Sequence, residues 1–398
     1  MRYKWMVVGG LVLALVALCA GIIAVSWFSV ARLRASGVNW RVFSADTVSA
    51  EADEEQRFTV NRPAVLSVEN SAGEITVTGG EGDEIVVAAH KTAWGATQTE
   101  AEAALAALKV TITQNGNAVT VRVEQPEKIV IVGSSRSDTV DFTISVPTET
   151  AVSASTSFGD AALSGTTGDA DLKTDFGEVN VHDVKGSVTA ESSSGAIEAK
   201  RVGAEGQTLK LETSFGKIVL EDAAAAEVSL NSNSGEIELT RVEATGAVSV
   251  KTDFGAVTLE QVTADVYDLR TNSGKITLHG AHGAVKAHTD FGDVEVTEAG
   301  DADLDLSSNS GSIHFSGSLG EGPHTVKTDF GSIQLALPEK AALTFDLKTS
   351  FGKIKSAFPI TTSGDLENDH WRGTINGGGA SLTAQTNSGD ISLDILNP

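Results

Sequence analysis

The chain has 398 residues, and its 53 acidic against 29 basic side chains give a formal net charge of −24. Such an acidic chain is unsuited to nucleic acid or an anionic lipid surface as its main partner. The single cysteine, Cys19, excludes an intrachain disulfide and a cysteine-based zinc site.

The segment 6–30 is apolar and carries no charged residue. It is long enough to cross the ~30 Å hydrocarbon core of a bilayer. We expect one transmembrane helix or signal-anchor here, with residues 1–5 in the cytoplasm. A signal peptide cleaved after Ser26 is the alternative. The sequence therefore predicts a single-pass protein of the cell membrane whose remaining chain is extracytoplasmic, at the cell surface or in the periplasm.

Residues 31–60 are polar and acidic, and we expect a stalk. Residues 61–150 predict an irregular β-rich capping segment with one short helix over 97–108 and a hairpin that turns at Asn115-Gly116. From about residue 151 to 398 the sequence becomes a regular repeat.

The repeat is a short phrase: a hydroxyl residue, then Asp, Asn or Ser, then Phe or Ser, then Gly, and Ile or Val two residues later. We number positions from this anchor glycine. The anchor glycines are Gly159, Gly177, Gly195, Gly216, Gly235, Gly255, Gly274, Gly292, Gly311, Gly331, Gly352 and Gly389, with a looser first copy at Gly73. Between Gly352 and Gly389, the segment 372–375 (Arg-Gly-Thr-Ile) looks like a decayed copy.

A period near 20 residues with strand-like alternation predicts an all-β, single-stranded β-helix, or β-solenoid, of ~19–20-residue rungs. The apolar residues stand at −5 before the glycine and at +2 after it, an odd and an even position. In one flat strand they would point to opposite faces, so the glycine marks a corner with positive φ or a bulge. With rungs ~4.8 Å apart, 12–13 rungs would stack over ~60 Å.

Position −1 holds Phe in one kind of corner and Ser in the other. In one interpretation the rungs have about 20 residues and each Phe ring fills the space above a serine. In the other, turns of about 39 residues carry one Phe corner and one Ser corner. Phe corners that follow each other at Gly159 and Gly177, and at Gly331 and Gly352, favour the shorter rung.

Two groups of residues are candidates for a site. The −2 aspartates could bind Ca²⁺ if their carboxylates align, but Asp, Asn and Ser at a corner more often shape the turn. Three histidines near Gly280 could bind a metal, although their spacing matches no ligand pair. The aspartates are Asp175, Asp253, Asp290 and Asp329, and the histidines are His279, His282 and His288. We expect a hydroxyl ladder at −3, and no catalytic, cofactor or metal site.

The phrases Thr252-Asp253-Phe254-Gly255-Ala256-Val257 and Asn272-Ser273-Gly274 resemble those of a bacterial family grouped as adhesins. That family is catalogued as a β-strand-repeat domain of unknown function, related to the head domains of auto-transporter-like adhesins. The resemblance covers roughly residues 64–398. It implies a β-helix on the cell envelope with adhesion as its role, and it brings no catalytic residues.

Together these observations predict a membrane-anchored extracytoplasmic rod that binds a carbohydrate or protein surface through many weak contacts, as an adhesin or structural rod. The outward residues at +1 and +3 would form the binding face. An envelope stress-sensing or signalling scaffold is the alternative, and a carbohydrate-active enzyme is a third hypothesis. The oligomeric state and the ligand are left open.

Overall fold

The computed structural model describes residues 47–124, 137–204, 206–363 and 367–396. The predicted membrane span, residues 6–30, lies outside these ranges, and within them no helix is long and apolar enough to cross a bilayer. In chain order the elements are β1 (Val48–Thr59), β2 (Ala64–Glu69), β3 (Ile75–Gly80), β4 (Glu84–Gly95), α1 (Gln98–Ala107), β5 (Lys109–Asn115), β6 (Ala118–Glu124), β7 (Thr139–Pro147), β8 (Thr150–Phe158), β9 (Ala161–Ser164), β10 (Ala170–Phe176), β11 (Val179–His182), β12 (Val188–Ser192), β13 (Ile197–Lys200), β14 (Thr208–Thr213), β15 (Ile218–Ala225), β16 (Glu227–Ser232), β17 (Ile237–Ala244), β18 (Ala247–Thr252), β19 (Val257–Thr263), β20 (Val266–Thr271), β21 (Ile276–His279), β22 (His282–Thr289), β23 (Val294–Ser308), β24 (Ile313–Leu319), β25 (His324–Thr328), β26 (Ile333–Leu337), β27 (Leu343–Thr349), β28 (Ile354–Ser356), β29 (Ile360–Thr362), β30 (His370–Ile375), β31 (Ala380–Thr386) and β32 (Ile391–Ile395).

Each rung has a first side, a corner at the anchor glycine, a second side and a short third side. In one rung, β14 ends at Thr213, the chain turns at Gly216, and β15 begins at Ile218. β15 bends again at Asp222, where φ is 55°, and continues to Ala225. The predicted all-β solenoid with a glycine corner is confirmed.

Successive rungs pair in parallel, which decides between the two predicted rung lengths. Ala170 of β10 lies beside Val188 of β12, and Val188 lies beside Leu209 of β14. On the second side Val179 lies beside Ile197, and Ile197 beside Ile218. Neighbours are one phrase apart, so the rung has about 20 residues, and the 39-residue turn is wrong.

The core is a column of aliphatic side chains between the sides of the rungs. The predicted inward positions are confirmed: the −5 residues Leu172 and Leu211 and the +2 residues Ile197 and Ile218 are fully buried. Because each buried side chain lies directly over its counterpart in the next rung, the core repeats with the phrase and continues through the stack.

The anchor glycines stack on one another, and this contact, rather than the backbone conformation, is why the corner needs glycine. Among them only Gly73 and Gly159 have positive φ, so the expectation of a left-handed corner is wrong elsewhere. A Cβ built on Gly235 would lie 1.6 Å from the carbonyl oxygen of Gly216, and one on Gly195 equally close to Gly177. No side chain fits in that space.

The left-handed bend lies instead at +6, at the end of the second side. Non-glycine residues adopt φ near +50° there, which costs an L-residue ~1–2 kcal/mol. They are Asp183, Arg201, Asp222, Arg241, Gln261 and Glu298. Ion pairs between rungs accompany the bend, since Arg201 donates to Asp183 at 2.6 and 2.8 Å and Arg241 donates to Asp222 at 2.5 Å.

The N-terminal end of the stack is closed by antiparallel strands and α1. Residues 48–59, assigned above to the acidic stalk, form β1 and pair with β4 along its length, so the predicted stalk extends too far. The acidic residues mislead because they belong to an edge strand: Asp53 lies 2.8 Å from His90, and Glu54 pairs with Lys91. The predicted helix and the β5–β6 hairpin are confirmed.

At both ends the spatial order of rungs differs from their order in the chain. The rung of β2 and β3 lies between β6–β7 and β8–β9. The rung of β31 and β32 lies between β25–β26 and β27–β28. The segment 372–375 is no decayed rung: it lies in β30, which pairs antiparallel with β27 and β29.

His324 is a buried histidine at the start of β25, with 1 % of its surface exposed. Its Nδ1 accepts from the Leu304 amide at 3.3 Å, so its Nε2 carries the proton that points to the Gly320 carbonyl at 3.2 Å. Burial lowers the pKa of His324, against smaller opposing effects of that carbonyl and of Asp303. The imidazole is therefore held neutral in the fold.

Gly235→Ala tests the glycine column. The new Cβ would overlap the Gly216 carbonyl, so the rungs must separate, and we expect the free energy of unfolding to fall by about 3 kcal/mol. The measurement is chemical denaturation of both proteins. Gly80→Ala is the matched control, because nothing lies within 4 Å of a Cβ there. Equal stability of the two variants would contradict the column.

His324 predicts a pH dependence of stability. Above the ordinary histidine pKa of ~6.5 both states are neutral and His324 has no effect. Below it the unfolded chain binds a proton that the fold excludes, so the free energy of unfolding falls until the lowered pKa is reached. We expect the thermal midpoint of His324→Gln to fall less than that of the wild type between pH 7.5 and 5.

His90→Gln is the control of opposite sign. The hydrogen bond to Asp53 raises the pKa of His90, so its contribution is present below ~6.5 and disappears as the pH rises through the raised pKa. Removing His90 should therefore steepen the loss of stability on acidification. Parallel pH curves for the wild type and His324→Gln would show that the histidine is not held neutral.

Candidate functional site

The corner is built on the hydroxyl at −3, which is buried. Thr252 Oγ1 donates to the Gly235 carbonyl of the preceding rung at 3.0 Å and accepts from its own Gly255 amide at 3.2 Å. Thr271 repeats both bonds with Gly255 and Gly274, each at 3.0 Å. The predicted hydroxyl ladder is thus a ladder from hydroxyl to glycine backbone, which ties each corner to the previous one.

The −2 residues form a second ladder on the surface. Asn272 donates to Asp253 at 3.1 Å, Asn309 to Asp290 at 2.6 Å and Asn387 to Asp329 at 2.9 Å. Aspartate and asparagine alternate in this part of the stack, so each carboxylate neighbours an amide rather than another carboxylate. Like charges ~4.8 Å apart would repel, and the alternation removes that repulsion.

The −1 phenylalanines point outward, contrary to the expectation that their rings fill space above a serine inside the rung. Between 55 and 81 % of each is exposed. In most rungs the strand ends at −3, and the turn of the corner carries both −2 and −1 to the outside. β8 and β10 continue to Phe158 and Phe176 at −1, and these two rings are exposed as well. We call this column the phenylalanine row: Phe158, Phe176, Phe215, Phe254, Phe291, Phe330 and Phe351.

Serines separate the rings of the row, and the fold makes this alternation more regular than the sequence does. In the chain, Phe330 and Phe351 are in consecutive copies of the phrase. In space, the rung of β31 and β32 brings Ser388 between them. The order from Phe176 to Phe351 is therefore strictly Phe, Ser, Phe, Ser, and only Phe158 and Phe176 are direct neighbours. Their rings stack with centroids 5.2 Å apart.

The structure does not bring the candidate metal ligands together. Asp253, Asp290 and Asp329 lie in alternate rungs with an asparagine between them, and Asp175 is separated from Asp253 by three rungs, those of Ser193, Ser214 and Asn233. His279 contacts Thr297 and Glu298, whereas His288 contacts Ser307 and Asp290. Within the described ranges, no group of three His, Cys, Asp or Glu side chains could hold a metal ion.

The predicted outward face at +1 and +3 exists on the second side. Register places Thr277 beside Glu295, and Glu295 beside His314, in successive rungs. Part of its charge is paired between rungs: Lys275 donates to Glu295 at 2.5 Å and lowers the pKa of that carboxyl. Lys217 pairs with Glu238 at 2.7 Å in the same way. The face is polar, mixed in charge and repeated in each rung.

The exposed phenylalanines are the feature that sequence reasoning missed. The signal was present: a position that takes Phe and Ser in turn, while the size of the buried −5 residue does not alternate with it, is not constrained by the volume of the core on that side. The alternation was wrongly extended from −3 to −1: in most rungs the strand has already ended there, and in β10 the side chains stop alternating after −3.

The chain matches one family model, Toastrack DUF4097, over residues 64–322 and 320–394. No curated protein matches it. Two solved structures are similar to most of the chain. One is a "putative cell adhesion protein" from Clostridium sporogenes ATCC 15579, 9 % identical, which covers 87 % of this chain and 100 % of its own, with a TM-score of 0.20. The other is a "putative adhesin" from Bacteroides fragilis NCTC 9343, 12 % identical, which covers 86 % of this chain and 97 % of its own, with a TM-score of 0.29.

These TM-scores are too low for any residue or activity to be carried over. The family match covers well over half of the chain and agrees with the resemblance read from the repeated phrase. The chain therefore belongs to the Toastrack DUF4097 family, a domain of unknown function.

Proposed function

We propose that this chain is a membrane-anchored, extracytoplasmic β-solenoid that acts as an adhesin or structural binding rod of the bacterial envelope. The proposed role is binding rather than catalysis. The observation that carries it is the repetition of one polar face along the second side, where successive rungs present their +1 and +3 residues in register. The proposed partner is a carbohydrate or protein surface.

Repetition suits such a role because it multiplies weak contacts. Neighbouring rungs repeat the same positions every ~4.8 Å, so a ligand with its own repeat can engage several rungs at once. Once one contact holds, the next forms at a high effective concentration, and the avidity exceeds the single affinity by a large factor. The mixed charge of the face also avoids the long-range repulsion that a uniformly acidic face would cause.

The localisation is tested with the full chain carrying a tag after residue 398, expressed in bacterial cells. We expect the chain in the membrane fraction and the tag accessible to protease on intact cells. A tag that is cleaved only after the envelope is opened would overturn the surface adhesin and favour a periplasmic scaffold or sensor. A cytoplasmic marker that stays intact shows that the cells have not lysed.

Leu15→Arg is the matched variant for the anchor. An arginine near the middle of a membrane span costs ~2.5–3.5 kcal/mol on insertion scales, so the variant should be depleted from the membrane fraction. The control variant must add an arginine without touching the span or the core. Leu66→Arg would unfold the core and is therefore unsuitable as a control. Ser312→Arg is suitable, because it adds the same charge at an exposed position outside the span. Equal membrane fractions for Leu15→Arg and Ser312→Arg would contradict the anchor.

A further inference from the structure

The phenylalanine row is a long apolar strip on an otherwise polar molecule. Apart from Val48, Val65 and Leu396, the large exposed apolar side chains of the described residues all belong to it. With a phenylalanine surface of roughly 200 Å², seven rings exposed by 55 to 81 % present on the order of 900 Å². A stable protein–protein interface buries ~800 Å² on each partner, so the row has the area of an interface.

We propose that the row is a self-association surface, on which a second copy of this chain lies antiparallel with the phenylalanine rings of the two copies interleaved. The inference does not depend on where the chain lies in the cell envelope.

The spacing of the rings supports interleaving. From Phe176 to Phe351, successive rings lie two rungs apart, which is ~9.6 Å, with an exposed serine between them. A ring from the second copy placed over that serine would lie ~4.8 Å from each neighbour, inside the 4.5–7 Å range that aromatic pairs favour. Phe158 and Phe176, in adjacent rungs, already stack at 5.2 Å within one chain.

The −2 ladder fixes the direction of the second copy. A two-fold axis perpendicular to the stack, placed midway between a Phe rung and a Ser rung, sets the Phe corners of the overlapping rungs opposite Ser corners. It also sets Asp253, Asp290 and Asp329 opposite an Asn, because in these rungs Asp accompanies Phe and Asn accompanies Ser. With the axis between the rungs of Ser273 and Phe291, Phe254 lies over Ser310 of the second copy, and Asp253 faces its Asn309.

The rearranged C-terminal rung extends the interleaved surface. Without Ser388 between them, Phe330 and Phe351 would be direct neighbours and would leave no gap for a ring from the second copy. The insertion of β31 and β32 supplies that gap, and it places Asn387 against Asp329 as well. The regular pattern then runs over eleven successive corners.

The chemistry of the row favours a second copy over other occupants. The row contains phenylalanine alone, without the hydroxyl or indole N–H with which Tyr and Trp bind polar ligands such as sugars. The amides beside it are engaged by the aspartates of the same chain. An anionic membrane would meet the carboxylates beside the row with like charge, whereas the second copy places an asparagine opposite Asp253, Asp290 and Asp329.

The test is a cysteine scan of the purified full chain in nonionic detergent, with Cys19→Ser as background. Ser194, Ser234, Ser273, Ser310 and Ser388 are changed to cysteine one at a time, and dimers are measured after treatment with a short bis-maleimide that bridges two thiols. Packed sheets lie ~10 Å apart, and a residue beside the two-fold axis is offset from its own copy by only one rung of ~4.8 Å, so a short cross-linker can join the two copies only next to the axis. We expect efficient cross-linking at one of the five positions, Ser273 in the arrangement above, and at least tenfold less at the ends.

Two substitutions in that cross-linking background distinguish interleaved rings from non-specific association of an apolar surface. Phe254→Ser removes one ring, and Ser310→Phe fills a gap while adding apolar surface; both residue types already occupy this position in other rungs. We expect each to lower the cross-linked fraction at least tenfold with an unchanged thermal midpoint. A higher fraction for Ser310→Phe, equal cross-linking at all five positions as in a parallel pair, or none at any position would overturn the proposal.

Discussion

The close approach of glycine backbones at the corner is the contact on which the rest of the structure depends. It leaves 1.6 Å between a built Cβ at Gly235 and the carbonyl of the glycine before it, so a side chain at this place would force the rungs apart. The carbonyl of each such glycine also accepts a hydrogen bond from the −3 hydroxyl of the following rung. Thr252, for example, donates to the Gly235 carbonyl. The corner is therefore held by side chain to backbone bonds, while the sides are held by the parallel ladders.

This corner separates the demands of the core from those of the surface. In most rungs the strand ends at the buried hydroxyl, and in all of the Phe rungs the −1 side chain lies outside, where no core volume restricts it. The alternation of Phe and Ser there consequently reflects surface chemistry alone. The bonds from Asn272 and Asn309 to aspartates of the preceding rungs give the −2 column a reason to alternate within one chain. They give none to the −1 column, whose alternation of Phe and Ser requires a separate explanation.

Much of the fold could be predicted from the sequence, because in a solenoid each copy of the sequence repeat forms the same strands and the same core contacts. The 20-residue rung, the inward −5 and +2 columns and the β5–β6 hairpin follow from local pattern and periodicity. Two kinds of feature did not follow. The outward turn of Phe254 depends on where the strand ends, which alternation alone does not mark. The position of Ser388 between Phe330 and Phe351 depends on a long-range insertion of a rung, which sequence order conceals.

The phenylalanine row was accordingly the hardest part to predict, since its regular alternation of Phe and Ser depends on the spatial order of the rungs and not on their order in the chain. The edges of the stack show why association would use this surface and not strand addition. β1 is rich in acidic side chains, β28 is only three residues long, and β29 and β30 add antiparallel pairing beside β27. Charged and short edge strands discourage pairing with another sheet. With the edges protected in this way, the exposed phenylalanines are the apolar surface on which two copies can meet without extending the sheet.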